Sequence, residues 1–136
     1  MRRLLIATAA LESVTGLALL VSPTVPVSML LGILLDTPGG LVVGRLAGAA
    51  LLALGLACGL AAGDGRSRAA RGVVAAMMLY NAAAVAVLVN ARISLDLSGI
   101  GLWPAVLVHV ALAIWCIASI RSVNPPASGS PANWTR

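Results

Sequence analysis

Four strongly polar side chains stand inside long apolar stretches of this sequence: Glu12, Arg45, Asn81 and His109. Carboxylate, guanidinium, amide and imidazole groups form ion pairs, relay protons or hold the polar end of a small molecule in an apolar medium. An isolated charge at the centre of a bilayer costs about 2.5–3.5 kcal/mol on insertion scales. We therefore expect Glu12 to pair with Arg45, and Asn81 and His109 to complete an intramembrane polar network.

Two interpretations of this network stay open. In the first it is structural, and a buried ion pair with two hydrogen-bonding neighbours fixes how the helices pack. In the second it is a functional site, either a proton relay or a polar pocket for a quinone or a lipid head group. No residue is assigned a catalytic role from the sequence.

Metal and cofactor sites are not indicated. The chain has a single histidine, which excludes bis-histidine haem ligation within one chain and provides no second histidine for a typical zinc site. Cys58 and Cys116 fall in apolar segments, where a thiol usually serves as a small hydrophobic residue. We predict no metal and no cofactor, with a quinone as the alternative.

The elements that must position these residues are long and apolar. The 136 residues are 60% hydrophobic and 10% charged, whereas soluble domains are about 45–50% apolar and about 25% charged. Four apolar runs, at about 4–22, 38–62, 72–91 and 102–121, approach the roughly twenty residues that cross a bilayer as a helix. We predict an all-α integral membrane four-helix bundle over residues 1–121. The tail 122–136, rich in Pro and Ser, is expected to be flexible.

A shorter apolar piece, residues 27–35, follows two prolines, Pro23 and Pro26. It is too short to span a bilayer, so we expect it to lie in the interface or to form a re-entrant segment. Asp36 or Thr37 can cap the next helix, and Pro38 suits a first helical turn.

Glycines follow one face of the second long run, at Gly44, Gly48, Gly55 and Gly59. Small residues let membrane helices approach closely. This face is expected to pack helices, either within the bundle or between copies of the chain.

The distribution of arginine predicts the orientation. All nine basic residues are arginines. Seven of them fall before the first run, between the second and third runs, or at or beyond the end of the fourth: Arg2, Arg3, Arg66, Arg68, Arg71, Arg121 and Arg136. The positive-inside rule then puts both termini in the cytoplasm. The bias toward Ala, Leu and Val is typical of a G+C-rich bacterial genome, so we expect a multi-pass protein of the bacterial cytoplasmic (inner) membrane. Its positive charge is expected to meet lipid head groups, and no nucleic-acid partner is predicted.

Three stretches carry a family resemblance: LESVTGLALLVSP in the first run, GRLAGAALLALGLA in the second and LWPAVLVHVALAIW in the fourth. They resemble the DoxX-like group of small four-helix bacterial membrane proteins and related uncharacterised families. In that pattern a Gly-rich first helix ends at Pro, and an Arg-Gly second helix of small residues follows. The resemblance covers most of the chain and implies the four-helix fold. Some DoxX-like proteins are linked to quinone-coupled sulfur oxidation or redox stress, but no catalytic residue of this chain follows from the resemblance.

The sequence contains no phosphate-binding loop, nucleophile elbow, metalloprotease signature or CxxC motif. Outside the predicted membrane spans the sequence has only short connections and the tail 122–136. We therefore predict an accessory or interaction subunit of a membrane complex, or a homo-oligomer, rather than an enzyme. The alternative is a quinone-linked oxidoreductase subunit, or a small-molecule or proton transporter, that uses the intramembrane polar residues.

Overall fold

The computed structural model describes residues 1–64 and 67–122, and every regular element in this part of the chain is a helix. The five helices are α1 (Arg2–Val21), α2 (Thr24–Leu31), α3 (Pro38–Gly63), α4 (Arg68–Ser94) and α5 (Leu102–Arg121). Among them, α1, α3, α4 and α5 are long and apolar enough to cross a membrane. The prediction of an all-helical protein with four apolar helices of spanning length is confirmed. The predicted tail lies outside the described residues from residue 123 onward.

Local chemistry determines where the helices begin. Thr37 caps α3 by accepting a hydrogen bond from the N–H of Gly40 at 3.2 Å, and Pro38 occupies the first turn. Ser67 caps α4 in the same way through the N–H of Ala70, at 3.0 Å. Because Ser67 already starts the helix, α4 begins at Arg68, four residues before the predicted position 72.

Helix α2 is an eight-residue helix between α1 and α3. It ends at Leu31, and the next residue, Gly32, has a φ of 75°, a left-handed conformation that suits glycine. The loop between α4 and α5 holds it, because the N–H of Gly99 donates to Leu30 O at 3.2 Å and that of Gly101 to Met29 O at 2.8 Å. Helix α2 therefore lies at the end of the bundle where α1 ends and α5 begins.

The long helices pack as two pairs, α1 with α3 and α4 with α5. The first pair is held at backbone contact distance by glycines. A Cβ atom at Gly48 would lie 2.6 Å from Leu20 N and 2.7 Å from Gly16 O. Such spacing leaves no room for any side chain between the two helices.

The main apolar cluster joins all four long helices near the N-terminus of the chain; its buried members are Leu4, Leu5, Cys58, Ala62, Val74, Met77, Leu112 and Cys116. A smaller cluster of Leu88, Leu102 and Val106 lies toward the end that carries α2. Many large apolar side chains point outward, for example Leu60, which is 72% exposed. An apolar exterior of this kind suits a lipid bilayer.

Candidate functional site

A partly open cavity of about 300 Å³ lies among α1, α2, α4 and α5. Three helices each supply one strongly polar side chain to its wall: Glu12 from α1, Tyr80 from α4 and His109 from α5. Apart from Thr15, the rest of the wall is apolar, with side chains such as Leu30 from α2. The cavity therefore combines a small polar region with an apolar surround.

Glu12 is the most unusual group in this wall. Its side chain is only 2% exposed, and Oε1 has no hydrogen-bond partner among the described residues. Helix periodicity accounts for its direction, because Thr8 and Gly16, one turn before and one turn after, are also buried. The Tyr80 side chain is the polar neighbour of the carboxylate. A buried acceptor without a partner is rare in proteins and requires a specific explanation.

Asn81 fixes the orientation of His109. The amide Nδ2 of Asn81 donates to Met77 O at 2.7 Å, and Oδ1 lies 2.8 Å from His109 Nδ1. A backbone carbonyl can only accept, so the amide nitrogen must face Met77 and the amide oxygen must face the imidazole. His109 Nδ1 therefore carries a proton. In the neutral ring, Nε2 is then the nitrogen that can accept a hydrogen bond.

Tyr80 was not assigned to a site from the sequence. Its ring meets that of His109 edge to face, with centroids 5.8 Å apart and planes at 76°. The available signal was composition: Tyr80 is the only tyrosine of the chain, in the middle of an apolar run and next to Asn81. An aromatic residue with a polar group at that depth is a candidate site residue.

The predicted ion pair between Glu12 and Arg45 is not present, and this corrects the sequence interpretation. Arg45 is exposed on α3, and that helix contributes no residue to the cavity wall. Among the described residues the one ion pair joins Arg92 to Asp96. The reason is rotational, because α3 turns Gly44 inward and the next residue projects about 100° away around the helix. The long side chain of Arg45 can then extend along the helix toward the membrane surface.

The predicted packing glycines lie in two different environments. Gly44, Gly48 and Gly55 are buried on α3, against the Pro23 turn or against α1. Gly59 is exposed, and a Cβ atom there would lie 3.9 Å from the Cβ of Ala9, an ordinary contact distance. Close helix packing therefore depends on the first three positions.

No metal-binding cluster is visible in residues 1–64 and 67–122, where no group of three or more His, Cys, Asp or Glu side chains comes together. Cys58 and Cys116 are free thiols buried in the main apolar cluster. Because both thiols lie in this cluster, we interpret them as packing residues.

The fold and the cavity define a small helical membrane protein with polar groups gathered inside its bundle. Comparisons with protein-family models, with curated proteins and with solved structures find no match for this chain. The resemblance to DoxX-like proteins stays a prediction from the sequence.

Proposed function

We propose that the protein binds a small, mainly apolar molecule inside its helical bundle. The observation that carries this proposal is the convergence of Glu12, Tyr80 and His109, from three separate helices, on one partly open cavity of about 300 Å³. Small-molecule sites are typically clefts of about 300–1,000 Å³ with apolar walls and a few polar groups that fix the ligand's orientation. The cavity lies at the lower end of that range.

The polar groups differ in what they offer a ligand. Glu12 Oε1 has no partner, His109 Nε2 accepts when the ring is neutral, and the Tyr80 hydroxyl can both donate and accept. A ligand would place its polar end among these groups and its apolar body against the remaining wall. This binding step is common to a quinone-linked subunit and to a small-molecule transporter, the two roles that the sequence left as alternatives.

A cavity-filling substitution tests the proposal. Ala105 lines the cavity, so Ala105→Phe should fill part of it, whereas Ala111, exposed on the same helix, provides a matched control as Ala111→Phe. Thermal unfolding in detergent would be followed with three probes: decylubiquinone, benzyltrimethylammonium and phenylacetate. A ligand at one hundred times its Kd stabilises the folded state by about 2.7 kcal/mol.

We expect at least one probe to raise the Tm of the wild type and of the Ala111→Phe variant, but not that of Ala105→Phe. Stabilisation that survives in Ala105→Phe would place the ligand elsewhere. If none of the three probes stabilises the wild type, a small-molecule function of this cavity is rejected.

An accessory or interaction subunit is the second candidate, and the position of Arg45 favours it. The guanidinium lies on the outer face of α3, beside Val43 and Leu46, which are 65% and 69% exposed. Charged residues within membrane spans rarely face lipid and usually pair with another group, so an outward-facing Arg45 favours contact with a partner. Arg45→Leu should then release a second copy or another subunit from complexes extracted with mild detergent, whereas Arg121→Leu should not. Identical complexes in both variants would reject this role.

The proposed setting is the inner membrane of a bacterium, with both termini in the cytoplasm. In support, Arg2, Arg3, Arg68, Arg71 and Arg121 lie at one end of the four long helices, and Arg92 lies at the other. Helix α2 is then at the outer end, as an interfacial or re-entrant segment. Fusions of a cytoplasmic and a periplasmic reporter enzyme to the C-terminus test the orientation, and activity of the periplasmic reporter would reverse it.

A further inference from the structure

The cavity contains a buried acid and no basic side chain other than a histidine. We propose that its ligand is a small lipophilic organic cation whose positive charge pairs with Glu12. This inference rests on the proposed small-molecule function and names the chemical class of the ligand. It follows from three properties of the described residues: the state of Glu12, the position of the arginines and the character of the wall.

Glu12 is a buried acid that forms no ion pair with the described residues. The side chain is 98% buried, lines the cavity and leaves Oε1 without a hydrogen bond among the described residues. A carboxylate removed from water requires a compensating charge or hydrogen bonds. A positive group inside the cavity supplies the missing partner.

None of the described arginines supplies it. Arg45, the arginine nearest the middle of a span, is exposed on α3, outside the cavity. Arg92 is already paired with Asp96 in the loop region beyond α4. The basic group at the wall is His109, and its Nδ1–H is directed to Asn81. No described arginine therefore neutralises the carboxylate.

The rest of the wall favours a cation over the other ligand classes. An anion would be repelled by Glu12. A quinone's carbonyl oxygens only accept, so they could bond to the Tyr80 hydroxyl but would leave the Glu12 carboxylate without a partner. Tyr80 adds an aromatic ring, whose face attracts cations. The apolar surround requires a lipophilic body, so an arylalkyl ammonium ion of modest size matches both the chemistry and the volume of the cavity.

Binding of this kind couples the cation to a proton. When Glu12 is protonated, its O–H bond must break before the carboxylate can pair with the ligand. The proton is released to water, so the positive charge of the ligand replaces that of the proton. The titratable groups that face or adjoin Glu12 are Tyr80 on α4, His109 on α5 and Cys58 on α3. Helix α2 presents only Pro26 and Leu30 to the cavity. Cation affinity should therefore fall as the pH is lowered.

Equilibrium dialysis of radiolabelled benzyltrimethylammonium tests the inference. This probe keeps its charge at every pH, and nanodiscs that hold the full chain would be compared with empty nanodiscs of the same lipid. We expect saturable binding to the wild type. Glu12→Gln, which keeps the shape of the side chain, should weaken binding about tenfold or more. Asp36→Asn removes the same charge from an exposed position and should bind like the wild type.

Four further variants separate an ion-pair role of Glu12 from a merely structural one. Glu12→Asp keeps the charge and should recover part of the affinity lost in Glu12→Gln. Tyr80→Phe keeps the ring and should bind within about twofold of the wild type, whereas Tyr80→Leu should weaken binding roughly 2–30-fold through loss of the cation–π contact. His109→Gln should retain the decrease in affinity at low pH, because that decrease belongs to the carboxylate.

The outcomes distinguish the two proposals. Saturable cation binding that Glu12→Gln weakens and Asp36→Asn does not supports the inference. Equal cation binding in Glu12→Gln and the wild type overturns it. Binding of decylubiquinone that Ala105→Phe blocks, without saturable cation binding, overturns the cation class but leaves the proposed function in place. If no probe binds, both proposals fail.

Discussion

The amide oxygen of Asn81 lies 2.8 Å from Nδ1 of His109, and this contact joins α4 to α5 inside the bundle. Because Met77 O fixes the amide at 2.7 Å, the contact also determines which imidazole nitrogen carries the proton. His109 thus enters the cavity wall with a defined orientation. Buried hydrogen bonds of this kind specify how two helices are rotated against each other, which apolar packing alone leaves loosely determined.

The tautomer of His109 can be measured directly, because it is the only histidine of the chain. In protein labelled with ¹⁵N-histidine, we expect the neutral ring to be protonated at Nδ1. Asn81→Leu should shift the equilibrium toward protonation at Nε2, since Nδ1 then has no acceptor. Asn90→Leu, an exposed position on the same helix, should leave the spectrum unchanged. A wild-type ring protonated at Nε2 would contradict the assigned hydrogen bond.

The contact between α1 and α3 predicts unequal effects of two alanine substitutions on the same helix. A Cβ at Gly48 would lie 2.6 Å from Leu20 N and 2.7 Å from Gly16 O, and these backbone atoms cannot move aside separately. Gly48→Ala should therefore lower the free energy of unfolding by about 1–3 kcal/mol, as overpacking does. Equilibrium unfolding in mixed detergent micelles measures the change.

Gly59→Ala is the matched control for Gly48→Ala. Its Cβ would stand 3.9 Å from the nearest atom, on Ala9, so no neighbour must move. Alanine is also more favourable than glycine within a helix, by up to about 1 kcal/mol. The variant should equal or exceed the wild type in stability. Equal losses at the two positions would show that the close approach of α1 and α3 is not what stabilises the pair.

The helices were predictable because their signals are local. Apolar runs of about twenty residues and the capping residue Thr37 act within a few turns of chain. The relation between Glu12 and Arg45 is different, since it depends on how α3 is rotated about its own axis. Gly44 and Arg45 are adjacent, so an inward glycine face already conflicted with an inward arginine. The contact between the glycine face and the neighbouring backbone determines how α3 is rotated about its axis. This rotation places Arg45 on the outside of the bundle.

The cavity could not be predicted from the sequence, because it also depends on how the helices pack. Its wall combines α2 with three of the long helices, and the sequence does not state which helices are neighbours. Tyr80 reaches the wall because Asn81, the next residue, is fully buried and bonded to Met77 and His109. The position of each of these side chains follows from the pairing of α4 with α5, a tertiary contact.

The separation of Arg45 from Glu12 has a thermodynamic consequence. In a double-mutant cycle with Glu12→Gln and Arg45→Gln, we expect a coupling energy below about 0.5 kcal/mol, as for independent sites. Glu12→Gln alone should not reduce stability, because it removes a buried charge that no described basic residue pairs and whose Oε1 accepts no hydrogen bond. Unfolding of the two single variants and the double variant measures the cycle. A favourable coupling energy of about 1 kcal/mol or more would indicate that Glu12 and Arg45 form the ion pair predicted from the sequence.

The attachment of α2 to the loop after α4 makes Gly99 sensitive to substitution. A Cβ at Gly99 would collide with Met29 O and would lie 2.7 Å from Leu30 C, so Gly99→Ala must separate the loop from α2. The hydrogen bonds from Gly99 and Gly101 to α2 would then break. Leu30 lines the cavity, so α2 would no longer hold that part of the wall in place.

Hydrogen–deuterium exchange measures this loosening. Gly99→Ala should accelerate exchange in residues 24–31, about tenfold for each 1.4 kcal/mol of lost local stability, while α1 and α3 keep their protection because their contact lies elsewhere. Gly39→Ala is the control, since a Cβ there meets nothing within 4 Å. Unchanged exchange in α2 would mean that its own contacts with α1 hold it. Faster exchange confined to α2 would show that the loop secures this side of the cavity.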